Sequence, residues 1–237
     1  MGKIIAIKGL TKKFGKIVAL DGVDMVIEEG RIHGFLGPNG AGKTTTIRNI
    51  LGIIKPTSGT VAVFGQDAFK DAVAIHKNLA YVPGESNLWD NLTGGEVIDL
   101  FLSLHGKKNS ELKEKYLKLF DLDPRKKCRT YSKGNKQKVA LVAAFASDVD
   151  LYILDEPTSG LDPLMEKVFQ DIVQDLKKQG KTVLLSSHIL SEVEKLADDI
   201  SIIKDGKIII SGKREKVLKD ESLETLFLSE FEVVENV

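Results

Sequence analysis

Residues 37–44 carry the strongest chemical signal in the sequence. They read Gly-Pro-Asn-Gly-Ala-Gly-Lys-Thr and fit the phosphate-binding pattern G-x-x-x-x-G-K-[S/T], known as the P-loop. Closely spaced glycines let successive backbone N–H groups converge, and such a concavity at a helix N-terminus binds polyphosphate. A glycine-rich turn between core elements is the alternative interpretation. The predicted phosphate-binding residues are Gly37, Pro38, Asn39, Gly40, Ala41, Gly42, Lys43, Thr44 and Thr45.

Two of these side chains have a specific predicted role, and an acidic pair later in the chain completes the chemistry. Lys43 would reach the outer phosphates, and the Thr44 hydroxyl would bind Mg²⁺. The apolar residues 151–154 end in Asp155 and Glu156. Because ligands lie at the carboxyl ends of parallel strands, Asp155 is predicted to act on the Mg²⁺ shell and Glu156 on the attacking water as general base. An apolar strand followed by an acidic turn is common, so this hypothesis depends on the P-loop.

The elements around the P-loop have the order that the motif requires. Residues 31–36 read as a buried strand and residues 45–51 as a helix, giving strand, loop and helix in succession. Further strands are predicted at 3–8, 23–28 and 60–64, with turns at 15–16 and 21–22, which indicates an antiparallel layer. Residues 67–77 are predicted to be helical, and residues 79–82 to form a short strand.

The pattern changes between residues 93 and 146, where apolar residues recur at helical spacing, ending in an alanine-rich helix at 136–146. After residue 150, strands at 151–155, 182–186 and 200–203 alternate with helices at 162–179 and 189–197, and a hairpin follows at 204–210. The predicted fold is α/β: a P-loop NTPase core with a mostly parallel sheet, an N-terminal antiparallel β layer and an inserted α-helical subdomain. We predict one domain over 1–237, with the core at 1–83 and 149–237 and the helical subdomain at 84–148.

Composition limits the possible partners and location. Of the 237 residues, 34 are Lys or Arg and 34 are Asp or Glu, so overall charge gives no argument for nucleic acid. Basic clusters at Lys107 and Lys108, and at residues 125–127, are expected to be solvated surface. The single cysteine, Cys128, excludes a disulfide framework and a cysteine metal site. The longest apolar run, residues 139–146, is far shorter than the ~18 residues of a membrane span.

These motifs resemble those of the nucleotide-binding subunit of ATP-binding cassette (ABC) transporters. Residues 155–162, Asp-Glu-Pro-Thr-Ser-Gly-Leu-Asp, match that family's run without a gap, and the likeness extends from residue 10 to residue 207. The resemblance implies that Phe14 stacks on adenine, although a core phenylalanine is the alternative. It also implies that His188 contacts the γ-phosphate, whereas His33, His76 and His105 are expected to be structural. Ser159, Gly160 and Asp162 match a segment that crosses to a partner subunit.

The chain departs from the family pattern in two places. The usual Leu-Ser-Gly-Gly-Gln signature is replaced by residues 131–135, Tyr-Ser-Lys-Gly-Asn. Where the family has glutamine directly after a strand-ending proline, this chain has Gly84 and then Glu85. We expect Glu85 either to replace the glutamine as a Mg²⁺ ligand or to play no such part. The signature residues expected to bind nucleotide are Ser132, Lys133, Gly134 and Asn135.

The implied function is ATP hydrolysis coupled to transport. Two cassettes, identical or different, would dimerise head to tail, with each ATP between the P-loop of one and the signature of the other. The dimer would drive a separate transmembrane permease from the cytoplasmic face of the membrane, docked between residues 84–91 and the helical insertion. Residues 88–93 and 222–228 resemble ABC-2-type exporters. A soluble ABC ATPase without a permease and a weakly hydrolysing regulatory cassette are the alternatives.

Overall fold

Two β-sheets and a set of helices build the protein in the computed structural model, which describes residues 2–106, 110–219 and 221–231. Lys107 and Lys108, one of the two predicted basic clusters, lie outside the described residues. None of the helices in the described part of the chain has the length and apolar character of a membrane span.

The larger sheet has six strands in the order β10-β9-β3-β8-β7-β6. All neighbours pair in parallel except β9 and β10, which form the predicted hairpin. Every residue of β3, β7 and β8 is buried, as expected for parallel strands covered on both faces. The strands are β3 (Ile32–Leu36), β6 (Leu79–Val82), β7 (Leu151–Asp155), β8 (Thr182–Ser186), β9 (Asp199–Lys204) and β10 (Lys207–Lys213).

The smaller sheet is the predicted N-terminal antiparallel layer, in the order β2-β1-β4-β5. The turn predicted at residues 21–22 is wrong, because β2 runs through it. Gly22 has a φ of 71° and donates its N–H to the Thr11 hydroxyl at 3.2 Å, so this glycine accommodates an irregular register between the strands. The strands are β1 (Lys3–Phe14), β2 (Ile17–Glu28), β4 (Ser58–Val63) and β5 (Gln66–Asp67).

Side-chain hydrogen bonds to the backbone decide where several helices begin. The helix predicted at 67–77 is wrong over its first half, since Asp67 accepts from two following N–H groups and Asp71 accepts from that of Asp67, which delays α2 to residue 72. The alanine-rich helix begins earlier than predicted, because Ser132 caps it. The helices are α1 (Lys43–Ile50), α2 (Ala72–Ile75), α3 (Gly94–Leu104), α4 (Ser110–Leu119), α5 (Lys133–Ala146), α6 (Pro163–Lys178), α7 (Leu190–Leu196), α8 (Arg214–Leu218) and α9 (Leu223–Phe231).

The core consists of two apolar clusters on the two faces of the parallel sheet. One fills the space between this sheet and the antiparallel sheet. The other joins the opposite face of the parallel sheet to α3, α4, α5 and α6. Phe145 is central to the second cluster, with ring centroids 5.6 to 6.3 Å from four other aromatic rings. Residues 84–148 therefore share a core with the sheet. The four partner rings are Tyr116, Phe120, Tyr152 and Phe169.

Candidate functional site

The P-loop lies between the end of β3 and the start of α1. Gly42 has a φ of 113°, and a Cβ there would lie 2.7 Å from Leu20 Cδ2 on β2, so only glycine fits. A Cβ on Gly37 would likewise clash with the Ile203 carbonyl oxygen on β9. Residues of both sheets therefore pack against the loop and hold its backbone close to α1. The loop and the N-terminus of α1 form a concavity suited to phosphate.

Lys43 is folded over this loop. Its ammonium group donates to the carbonyl oxygens of Gly37 at 2.5 Å and Pro38 at 3.2 Å. Burial lowers the pKa of Lys43, while the carboxylates of Glu156 and Asp155 act in the opposite direction. The geometry places a positive charge over the P-loop, within the influence of both acids.

Asp155, the last residue of β7, lies beside Thr44. The Thr44 hydroxyl is 3.4 Å from Asp155 Oδ2. Burial raises the pKa of Asp155, so a cation beside this carboxylate would offset an existing electrostatic cost. No group of three or more His, Cys, Asp or Glu within the described ranges could hold a metal by itself. Thr44 and Asp155 therefore fit Mg²⁺ that also takes oxygen ligands from phosphate and water.

Glu156 follows Asp155 in a left-handed conformation, with a φ of 49°. Its N–H donates to the Ser186 carbonyl oxygen on β8 at 2.8 Å, which anchors the strained backbone. His188 follows β8, and its Nδ1 is 3.5 Å from Glu156 Oε2. The two predicted catalytic side chains thus meet at the ends of neighbouring strands.

A cavity of about 270 Å³ joins these parts of the site. It brings together the P-loop, Glu156 and the loop that carries His188. The other three histidines have structural partners, as expected: His33 pairs with Ser201, and His76 and His105 bond backbone carbonyls. The cavity is lined by Gly37, Pro38, Asn39, Glu156, Ser187, His188, Leu190 and Phe227.

The signature residues 132–135 are not among the residues that line this cavity. They form the N-terminus of α5, where the Ser132 hydroxyl accepts from the Asn135 N–H at 3.2 Å and Lys133 is exposed. Gly134 packs on the loop after β7, and a Cβ there would clash with the Gly160 carbonyl oxygen. The structure therefore does not bring the signature to the P-loop of the same chain.

Phe14 ends β1 and is 49% exposed, so it is not a core residue. The Lys12 ammonium lies 4.9 Å from its ring centroid. The hairpin that carries Phe14 continues to Ala19 and Leu20, both within contact distance of a Cβ built on Gly42. An exposed aromatic ring is thus available on the strand pair that flanks the P-loop.

Gly84, and not Glu85, occupies the corner between β6 and the acidic pair. A Cβ on Gly84 would lie 3.3 Å from the Asp155 carbonyl oxygen and 3.4 Å from Glu156 Cβ. The Glu85 side chain is exposed and makes no hydrogen bond or ion pair with any residue that the structure describes. The structure does not bring Glu85 to Thr44 or Asp155, and its predicted metal role stays a prediction.

The family model for ABC transporters matches residues 20–159, well over half of the chain. This chain belongs to the ABC transporter family. The bacitracin transport ATP-binding protein BcrA of Bacillus licheniformis is 37% identical over 212 residues, which cover 88% of this chain and 69% of BcrA. The chain is therefore an ABC ATPase with the predicted α/β fold.

Two solved structures extend the likeness to the architecture. An ATP-binding subunit of an ABC transporter superposes with a TM-score of 0.90 at 29% identity, covering 97% of this chain and all of the other. A dimeric ATP-binding cassette in a post-hydrolysis state with ADP and Pi superposes with a TM-score of 0.80 at 28% identity, covering 89% of this chain and 98% of the other.

Several residues near the site of this ABC ATPase were missed by reasoning from the sequence. Ser187 and Leu190 line the cavity and could have been found from their closeness to His188. Phe227 lies on α9, within the run 222–228 but far along the chain from the nucleotide-binding motifs, and nothing in the sequence indicates its position beside the P-loop. Gln137 was also missed, although its side chain bonds Pro83 and Ser86, on either side of Gly84, and Pro157, directly after Glu156.

Proposed function

We propose that this ABC ATPase powers a membrane permease by hydrolysing ATP between two cassettes. The observation that carries the proposal is the meeting of the P-loop, Asp155, Glu156 and His188 at one edge of the parallel sheet. Backbone N–H groups of the P-loop would bind the phosphates, and Lys43 would exchange its carbonyl partners for phosphate oxygens.

The hydrolytic step is assigned to the side chains at the ends of β7 and β8. Thr44 and Asp155 would hold Mg²⁺, which neutralises charge on the phosphate oxygens. Glu156 would accept a proton from the attacking water, and His188, 3.5 Å from it, would contact the γ-phosphate. Phe14 would supply the adenine platform, since a flat exposed ring stacks on any base.

The second half of the site would come from a partner cassette. Residues 132–135 lie away from the P-loop of their own chain, at a helix N-terminus that favours an anion. A head-to-tail partner could bring them to the γ-phosphate, and a dimeric solved relative supports this arrangement.

The permease would dock on the cytoplasmic side of the membrane, in an apolar groove of about 570 Å³ beside residues 83–88. Val73 and Leu104, which line this groove, are 83% and 69% exposed, and an exposed apolar patch of this kind supports an interaction site. Trp89, 51% exposed with its centroid 6.4 Å from that of Phe101, stands next to it. The bacitracin transport relative supports a transport role, and we assign export of an unidentified substrate.

A Glu156→Gln variant tests the proposal. Removing the general base while keeping the side-chain shape should preserve ATP binding, block turnover and trap an ATP-dependent dimer. Light scattering should give twice the monomer mass with ATP and Mg²⁺, and the monomer mass with ADP. A monomer under both conditions would refute the two-cassette site, and unchanged turnover would remove Glu156 as the base.

A further inference from the structure

The side chain of Gln137 is a buried junction between three segments of the chain. It projects from the second turn of α5 and is 2% exposed. Its Oε1 accepts from the Ser86 hydroxyl at 2.9 Å. Its Nε2 donates to the carbonyl oxygens of Pro157 at 3.1 Å and Pro83 at 3.4 Å. Both amide hydrogens and the amide oxygen are therefore used.

The two loops that this amide joins flank the catalytic carboxylate. Pro157 directly follows Glu156 in the chain, and Gly84, between Pro83 and Ser86, packs against the Asp155 backbone. The contact between Gly134 and Gly160 attaches α5 to the loop after Glu156 at a second point. A fully bonded amide in a dry site fixes the relative positions of its partners.

The loop of residues 83–86 also reaches the apolar groove. Pro83 and Ser86 line the groove, and Gln137, which is not among its lining residues, bonds both of them. No side chain extends from Gly84 to join this loop to the site. The amide of Gln137 is therefore a direct hydrogen-bonded link between the groove and the residue after Glu156.

We infer that Gln137 is a positioning residue that holds Glu156 in its hydrolytic position and transmits movement of residues 83–86 to residues 157–160. This inference rests on the proposed function, since it requires Glu156 to be the general base. Gln137 acts through the loop backbone, since it is buried and does not line the P-loop cavity. Its loss should therefore slow turnover without weakening ATP binding.

The test is steady-state ATPase kinetics of the full chain with Gln137→Met, which keeps the length and volume of the side chain and removes its hydrogen bonds. Leaving two loop carbonyls unpaired should lower kcat about tenfold, with KM for ATP within about twofold of wild type. Gln174→Met on the half-buried face of α6 is the matched control and should leave kcat unchanged.

Gln137→Glu separates hydrogen bonding from packing. A carboxylate accepts from Ser86 but cannot donate to Pro83 or Pro157, whereas the protonated acid can donate once. Burial should raise its pKa, so kcat relative to wild type should be low at pH 8 and recover toward pH 6. A packing role alone would give the same relative kcat at both values.

Several outcomes would overturn the inference. The first is a wild-type kcat in Gln137→Met, and the second is a changed KM for ATP in that variant with no change in kcat. The third is a ratio of kcat between Gln137→Glu and wild type that does not change with pH. If Gln137→Met does not fold, Ser86→Ala replaces it, because it keeps the amide and breaks only the hydrogen bond from Ser86, one of the two bonds that join Gln137 to the groove. The kcat should then fall about two- to fivefold, and an unchanged kcat would overturn the inference. Absence of ATPase activity in the wild-type protein would instead refute the proposed function.

Discussion

Glu192 allows a quantitative test of how the loop of His188 is held. This carboxyl group lies on α7, is 3% exposed and accepts from the Ser187 hydroxyl at 2.9 Å and the Thr158 hydroxyl at 3.4 Å. Burial raises its pKa from 4.5 to about 7, against the opposing effect of the Ser187 hydrogen bond. Glu192→Gln keeps the shape and an acceptor oxygen but removes the titration.

The sign follows from proton binding. Between pH 4.5 and about 7 the folded protein keeps a proton on Glu192 that the unfolded chain has lost. The free energy of unfolding therefore falls as pH rises through this window, by about 3 kcal/mol from one titrating group. The variant lacks this titrating group, so its free energy of unfolding should rise by about 3 kcal/mol relative to wild type between pH 4 and pH 9.

Denaturant unfolding of both proteins at several pH values measures this difference directly. Thermal unfolding should show the same trend, with a relative Tm shift of roughly 6 to 12 °C for a chain of this size. Glu114→Gln, at an exposed position on α4, is the control and should follow wild type throughout. Parallel wild-type and Glu192→Gln curves across this pH range would show that Glu192 is already ionised in the folded protein.

Substitutions at three further residues test individual parts of the nucleotide site. Lys43→Ala should weaken ATP binding roughly 100-fold through loss of a charged phosphate contact, and unchanged affinity by calorimetry would remove the phosphate assignment. Phe14→Ala should weaken it roughly tenfold, while Phe14→Tyr should bind as wild type; equal affinities for all three proteins would exclude stacking. Glu85→Ala should lower turnover if Glu85 binds Mg²⁺, and wild-type kcat would place it outside the metal shell.

Local patterns in the sequence predicted most of the fold. The spacing of glycines, lysine and threonine in the P-loop, and the apolar strand before Asp155, depend on contiguous residues, so the sequence alone is enough to recognise them. The two errors in the fold have a common cause, which is a side chain that accepts a hydrogen bond from a backbone N–H. At residues 67–71 this bond replaces a helical turn, and at Gly22 it replaces a chain reversal.

The arrangement of side chains around the site could not be predicted as well from the sequence, because it depends on contacts between residues that are far apart in the chain. Gln137 bonds Ser86, 51 positions earlier, and Pro157, 20 positions later, and neither spacing has a sequence signature. Phe227 reaches the cavity only because α9 packs against α7, the helix after the loop of His188. Glu85 is an acid near a family motif, which predicts a metal ligand, whereas it is Gly84 that lies close to the backbone of Asp155.

The aromatic cluster around Phe145 bears on how this protein could be recombined with its relatives. Residues 84–148 look like an exchangeable insertion, yet Phe145 near the end of α5 packs on Tyr152 of β7 and Phe169 of α6. A chimera that carried this segment into another cassette would lose those two partners unless they were transplanted as well, and a poorly filled aromatic site costs several kcal/mol. Exchange of permease preference between cassettes should therefore succeed at the groove surface and fail when whole segments are grafted.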